Sequence, residues 1–435
     1  MLIGHNPHAG SAAAPRTVLS RIRAVRLNVL VRGWLIGTAL VFALYVVRMP
    51  GPVDSTGHRP GGDILQFYAA GHMVLTGRGA DLYDLKAQAG AQQELAAPTE
   101  WPHVAPYLNP PILAAAWAPF AGLPFKAAYV ASTCALLGAL LIGLRALRPH
   151  VPALHAQWPL VVGLTILFLP IFRTVTGGQN TAITFALLAG GYASLRRQRD
   201  GWAGIWLGLL LYKPQYAVLP ALLLMVSKRW SAVVAFALTA VAQYIVGVAI
   251  SGVDWPLRFV RLLEYVMPLG LVNDGPQLIS WLNFAQYAVP GRFGKSVGTV
   301  LAFTTFAALV WVWSGRPRRW KDARTTLFGR PDVRTASFAS SFGATVAATL
   351  ACSPYTQWYE SGLLIIPALL GIDQVIGRTG APTPTALRGL AAGFLCVPLY
   401  HLAPLLGWQP LALLAPLVLA WLIRIQTDEV GHSHR

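Results

Sequence analysis

Residues 16–49 read RTVLSRIRAVRLNVLVRGWLIGTALVFALYVVRM, and this stretch decides the class of the fold. Its first half carries Arg16, Arg21, Arg23 and Arg26 and no acid, and a mainly apolar run over 31–49 follows. A helix of roughly 20 apolar residues spans the hydrocarbon core of a bilayer. No small-residue cleavage site directly follows a short apolar core, so the stretch reads as an uncleaved first membrane helix. Basic flanks stay in the cytoplasm, which makes residues 1–30 a cytoplasmic tail.

The rest of the composition agrees. Only 11% of the 435 residues are charged and 55% are hydrophobic, whereas soluble domains carry about 25% charged residues. An ordinary soluble enzyme is excluded, and so is a disordered chain, which would be polar. Lys plus Arg is 34 against 16 Asp plus Glu, a formal charge of +18. Nucleic-acid binding would need those cations clustered on a soluble module; here they form short runs between long apolar segments. Cys134, Cys352 and Cys396 fall inside apolar segments and read as small core residues.

Basic clusters at Arg145/Arg148, Arg196/Arg197/Arg199, Lys228/Arg229, Arg316 to Arg334 and Arg378/Arg388 mark further inner loops. Between them lie spans near 124–145, 158–173, 180–195, 202–212, 214–227, 230–250, 297–314, 335–352, 361–376, 388–405 and 410–424. With the first helix the pattern predicts twelve, an all-α polytopic membrane protein with both termini inside and a transmembrane domain over 31–424. Residues 425–435 form a second inner tail. The pieces 202–212 and 214–227 are short and read as a hairpin or a broken pair around Lys213-Pro214; 110–121 reads as a half-entering helix.

Two large outer loops result, 50–108 and 251–295. Asp54, Asp63, Asp81, Asp84, Glu94, Glu100, Asp254, Glu264, Asp274 and Glu360 all fall on the outer side, so acid chemistry is expected there. The first loop opens Gly61-Gly62-Asp63 and continues with apolar residues at helical spacing, which predicts an amphipathic helix lying in the membrane interface. Asp63 at its start is either an N-cap or a general base at the surface. Asp81-Leu82-Tyr83-Asp84 and Tyr107-Leu108-Asn109-Pro110-Pro111 are turn-forming sequences, but loops this long tend to be functional. Lys213 in an apolar stretch marks either a functional cation or a lysine snorkelling to the headgroups. Gln179 and Asn180 at an outer turn suit sugar hydroxyls or, for Asn180, a helix cap. No metal signature and no glycine-rich phosphate loop is found.

The order of these features resembles glycosyltransferase family 87, the polyprenyl-phosphate-mannose-dependent mannosyltransferases of the GT-C superfamily. The matching elements begin with Asp63 to Gly77 (DILQFYAAGHMVLTG), Tyr83-Asp84 and Tyr107 to Pro111 with its Ala118-Pro119 and Leu123-Pro124 steps. Gly178-Gln179-Asn180, Lys213-Pro214 and Ser353-Pro354 complete the series. The resemblance covers roughly residues 30 to 375. It implies a sugar carried on a polyprenyl phosphate, an acceptor hydroxyl activated by a carboxylate of the first outer loop, and inversion at the anomeric carbon. Asp63 matches that carboxylate. Lys213, Gln179, Asn180 and Tyr68 are then candidates for the donor, and Asp81, Tyr83, Asp84, Tyr107, Asn109, Tyr355, Trp358, Tyr359 and Glu360 for the acceptor cavity. The family often carries a late-loop histidine; here Tyr359 and Glu360 stand in its neighbourhood.

The expected function is therefore hexose transfer, most simply of mannose, to a lipid-linked or envelope acceptor at the outer face of the cell membrane. The enzyme is expected to act as a monomer, with no cofactor beyond the donor and no nucleic-acid partner. The rival class is a transporter or lipid flippase. Such proteins often show repeats with breaks in corresponding halves, and this sequence shows neither. A structural scaffold leaves the large acidic loop unexplained.

Overall fold

The computed structural model describes residues 18–54, 58–59, 61–289, 291–314, 336–379 and 396–432. The basic run at 316–334, Arg388 with the start of the span expected from 388, and the outermost parts of both tails lie outside these residues. Among the described residues all regular structure is helical, apart from one antiparallel bridge between Leu278 and Gln357.

The first long helix, α1 (Val18–Arg48), begins well before the apolar run. The first loop then folds into α2 (Ile64–Leu75) and α3 (Leu85–Ala96), followed by α4 (Pro111–Ala121). Proline at the first position of α4 lacks an N–H that would have no partner there anyway. Next come α5 (Phe125–Leu147), α6 (Trp158–Leu167), α7 (Leu169–Thr176), α8 (Thr181–Arg196), α9 (Asp200–Gly208) and α10 (Pro214–Val226). They lead into α11 (Trp230–Ser251), α12 (Trp255–Asp274), α13 (Trp281–Ala288), α14 (Gly294–Ser314), α15 (Ala336–Cys352) and α16 (Ile365–Thr379). The described chain ends with α17 (Cys396–Leu406) and α18 (Leu414–His432).

Among the described residues, five helical stretches are long and apolar enough to cross a membrane, or up to seven if each bent pair counts as one span. The bent pairs turn by 65° between α6 and α7 and by 117° between α17 and the segment containing α18. The expected twelve spans are thus not twelve long helices. The segments expected at 158–173, 214–227 and 335–352 are broken or short, and they are held by neighbours instead of by their own length. The outward faces of α1, α11 and α14 are apolar, with Trp34 and Val41 68% exposed and Phe303 69%. Faces of this kind belong in lipid, and the chain is a membrane protein.

The short helix α2 departs from expectation. It does not lie on a surface: Ile64, Leu65, Phe67, Tyr68 and Met73 are all buried. It packs along α4 so closely that a Cβ on Gly71 would stand 2.8 Å from the Trp117 backbone. Phe67 stacks on Trp117 with centroids 5.3 Å apart, while Leu65 turns into a separate cluster with Val53, Ala96 and Trp101. α4 and the loop's own α3 cover the face that spacing alone would assign to headgroups. One continuous apolar core runs through α2, α4, α5, α8, α10 and α15, and it fixes the positions at which α2, α8 and α10 begin.

Candidate active site

Asp63 ends a Gly61-Gly62 turn whose φ values are +83° and +66°, a region side chains disfavour. It occupies the N-cap position of α2 but makes no side-chain capping bond. Its backbone N–H donates to the Gly177 carbonyl at 3.2 Å, tying the turn to the end of α7. The carboxylate is left to other partners: the Gln179 amide donates to it, and Arg59 stands 3.6 Å away. The side chain remains 31% exposed and lines a cavity of about 1060 Å³.

Gln179 and Asn180 close the turn between α7 and α8 and line the same cavity. The Asn180 carbonyl accepts from the Tyr212 hydroxyl at 2.9 Å and from the N–H groups of Ile183 and Thr184. Its side chain is fully buried, yet neither amide atom has a hydrogen-bond partner and no capping bond forms. An unsatisfied buried amide costs about 1–3 kcal/mol, and such groups are otherwise rare.

Lys213 sits between a short turn of 3-10 helix, Leu209–Tyr212, and α10. Its ammonium does not reach outward. It donates to a Glu360 oxygen at 2.6 Å and lies 5.6 Å from the Tyr216 ring centroid. Glu360 also accepts from the Tyr216 hydroxyl and, at 3.1 Å, from the Gln357 N–H. The two side chains are only 11% and 6% exposed, which removes the snorkelling alternative. Glu360 is not an idle late-loop acid but the partner of Lys213.

Asp63, Asn180 and Lys213 thus stand at the N-terminal ends of α2, α8 and α10 around one cavity. Helix N-termini carry partial positive charge and free N–H groups, and together they favour an anion. Asn109, Tyr355 and Tyr359 also line this cavity. The lining that α11 and α12 supply is mostly apolar, with Tyr244, Trp255, Phe259, Leu263 and Val266.

Several expected site residues lie elsewhere. Tyr68 donates to the Leu123 carbonyl at 2.7 Å and meets Phe125 edge-on, away from the cavity. Tyr83 and Tyr107 are buried and donate to the Asn109 and Pro110 carbonyls. Burial pushes both hydroxyls well above their ordinary range. They brace the loop. Asp84 caps α3 by accepting from Lys86 and Ala87, and Asp81 is exposed outside the cavity. Trp358 packs against Tyr400, centroids 4.2 Å apart, in its own cluster. Conversely, Arg59 and the α12 aromatics were not anticipated. Arg59 had a signal, four residues before Asp63; α12 had only a sequence that reads as outer loop. Among the described residues no three His, Cys, Asp or Glu side chains group as metal ligands would.

The family model described as glycosyltransferase family 87 matches residues 107–330. No curated protein and no solved structure matches the chain.

Proposed function

The chain belongs to glycosyltransferase family 87, and from that premise we propose that it moves a hexose, mannose in the first instance, from a polyprenyl phosphate to a hydroxyl of a lipid-linked or envelope acceptor. The acceptor oxygen attacks the anomeric carbon. The bond from that carbon to the phosphate oxygen breaks, and its electron pair leaves with the polyprenyl phosphate. The acceptor proton passes to the Asp63 carboxylate. A single displacement of this kind inverts the anomeric centre.

The observation that carries the reading is Asp63 itself. A carboxylate in a cap position, free of capping duty and turned into a cavity, is placed to take a proton. The cavity lining suits both parts of the donor. Asn180 and the three helix starts offer partners to a phosphate and a sugar. The Lys213 ammonium has three donor hydrogens, and Glu360 takes one, leaving others for phosphate oxygens. The wall of α11 and α12 suits an isoprenoid tail. The same reading puts the cavity on the outer face of the cell membrane, with both termini inside and the protein working as a monomer without a cofactor.

The test is transfer in nanodiscs, comparing radiolabelled mannose on a polyprenyl phosphate with mannose on a nucleotide. Label should move from the lipid donor alone, and the product anomer should be opposite to that of the donor. A protein that binds the lipid but transfers from neither source would return the transporter or flippase reading.

A further inference from the structure

Among the described residues, two carboxylates and two cations line the large cavity, and they form two pairs of different kinds. In the Lys213–Glu360 pair both acid oxygens accept hydrogen bonds, one from the ammonium and the other from Tyr216 and Gln357. In the Arg59–Asp63 pair the carboxylate stays open. Its Oδ2 accepts from the Gln179 amide. Its Oδ1 stands 3.6 Å from a guanidinium nitrogen, beyond the usual length of an N–H···O bond. Among the described residues Oδ1 accepts no hydrogen bond, so its lone pairs remain for an incoming proton.

Arg59 is itself held from behind. Its guanidinium carbon lies 5.8 Å from the centroid of the Trp101 ring, a cation–π distance. Its carbonyl accepts from the Gly62 N–H at 3.0 Å and closes the turn that carries Asp63. Trp101 in turn is pinned by α3. The Gln92 side chain accepts from its indole N–H at 3.3 Å, and the Gln93 side chain from its backbone N–H at 2.6 Å. A line of contacts therefore runs from α3 through Trp101 and Arg59 to the base.

Stability does not account for this line, because a partly exposed ion pair adds little to it. What the pair supplies is direction. The bond to Oδ2 alone leaves the carboxylate free to turn about one contact, whereas a second contact at Oδ1 fixes its plane. Such groups work when a third group orients them, and a misplacement of about 1 Å can cost about a hundredfold in rate. Resting on Asp63 as the base of the transfer proposed above, we propose that Arg59 is its positioning residue: held against Trp101, it aims Oδ1 at the acceptor hydroxyl without itself binding the substrate.

The test is a cycle of four full-length proteins in nanodiscs: wild type, Arg59→Gln, Asp63→Asn and the double variant. The donor is radiolabelled mannose on a polyprenyl phosphate, and membrane lipid extract supplies the acceptor. Arg59→Gln should lower kcat about tenfold or more and leave KM for the donor unchanged. In the Asp63→Asn background the same change should lower kcat less than about twofold, because no base is left to aim. An equal fold-loss in both backgrounds, or a raised KM for the donor, would mean that Arg59 acts on the substrate or on the fold and would overturn the proposal. A kcat that Arg59→Gln leaves alone overturns it too. Should Arg59→Gln fail to fold, Arg59→Lys, which keeps the charge but not the planar fork, runs through the same cycle and must show the same dependence on Asp63. A wild type without transfer activity, or an Asp63→Asn variant as active as wild type, would remove the transfer reading or the base, and the role of Arg59 with it. The other adverse outcomes remove Arg59 alone.

Discussion

Lys213 and Glu360, 147 residues apart in sequence, meet inside the bundle in an ion pair of 2.6 Å. The pair joins the start of α10 to the late loop and sets one wall of the large cavity. Removing one member of a buried pair costs about 3–5 kcal/mol, because the other charge stays behind unpaired. Glu360→Gln should therefore lower the thermal midpoint clearly, and Lys213→Met added to it should recover most of the loss. Additive losses in the double variant would show that the pair is not an energetic unit.

Lys213→Gln tests the ligand role at a cost in stability, since it leaves the Glu360 carboxylate without its cation. The amide keeps a hydrogen bond to Glu360 but offers phosphate no charge. Donor affinity should drop roughly ten- to a hundredfold, the worth of one charged hydrogen bond, and titration with fluorescent polyprenyl phosphate measures it. An unchanged affinity in a folded variant would confine Lys213 to its structural pairing.

Asp63→Asn keeps the shape and cannot accept the proton, so turnover should fall by about 10²–10⁴. Stability should hardly move. There is no capping bond to lose, and the partly exposed pair with Arg59 contributes at most about 1 kcal/mol. Asp63→Ala should be equally inactive and only modestly less stable, because it also gives up the bond from the Gln179 amide. A large fall in its thermal midpoint would bring back the capping role.

Asn180→Ala makes the opposite demand on intuition. The residue is fully buried, but its amide makes no hydrogen bond. Truncation removes two unsatisfied groups, so it should cost less than about 1 kcal/mol, unlike the loss of a bonded polar group. Donor binding should weaken all the same. Calorimetry of the free and donor-saturated protein checks both halves.

Gly71→Val tests the seat of α2. A Cβ there meets the Trp117 backbone at 2.8 Å, and backbone does not yield as a flexible side chain does. Overpacking of this kind costs about 1–3 kcal/mol. Activity should fall with stability, since Asp63 rides on the same helix.

The membrane class and the helical fold were legible because they follow from composition and from the length of apolar runs. Asp63, Gln179, Asn180 and Lys213 were legible as polar residues at turns where apolar segments break. What each side chain touches was not. Spacing marks α2 as two-faced but does not say that α4 covers it. Lys213 and Glu360 were both singled out, yet nothing in one sequence joins residues so far apart. Tyr107, Trp358 and Tyr359 look alike as loop aromatics, and only packing separates the braces from the cavity wall. Arg59 stood four residues before Asp63 and was overlooked beside the two glycines that follow it.

The α12 side of the cavity is not sealed: Val260 lines it and is itself exposed. Leu257 and Val260 of α12 are 52% and 46% exposed, and a helix of twenty residues is only about 30 Å long. On the donor assignment, a carrier laid along α12 leaves the protein well before its own end and continues into free bilayer. The enzyme would then discriminate among carriers by the isoprene units nearest the phosphate and be blind to how many follow, so that carriers of quite different total length would compete for it on equal terms.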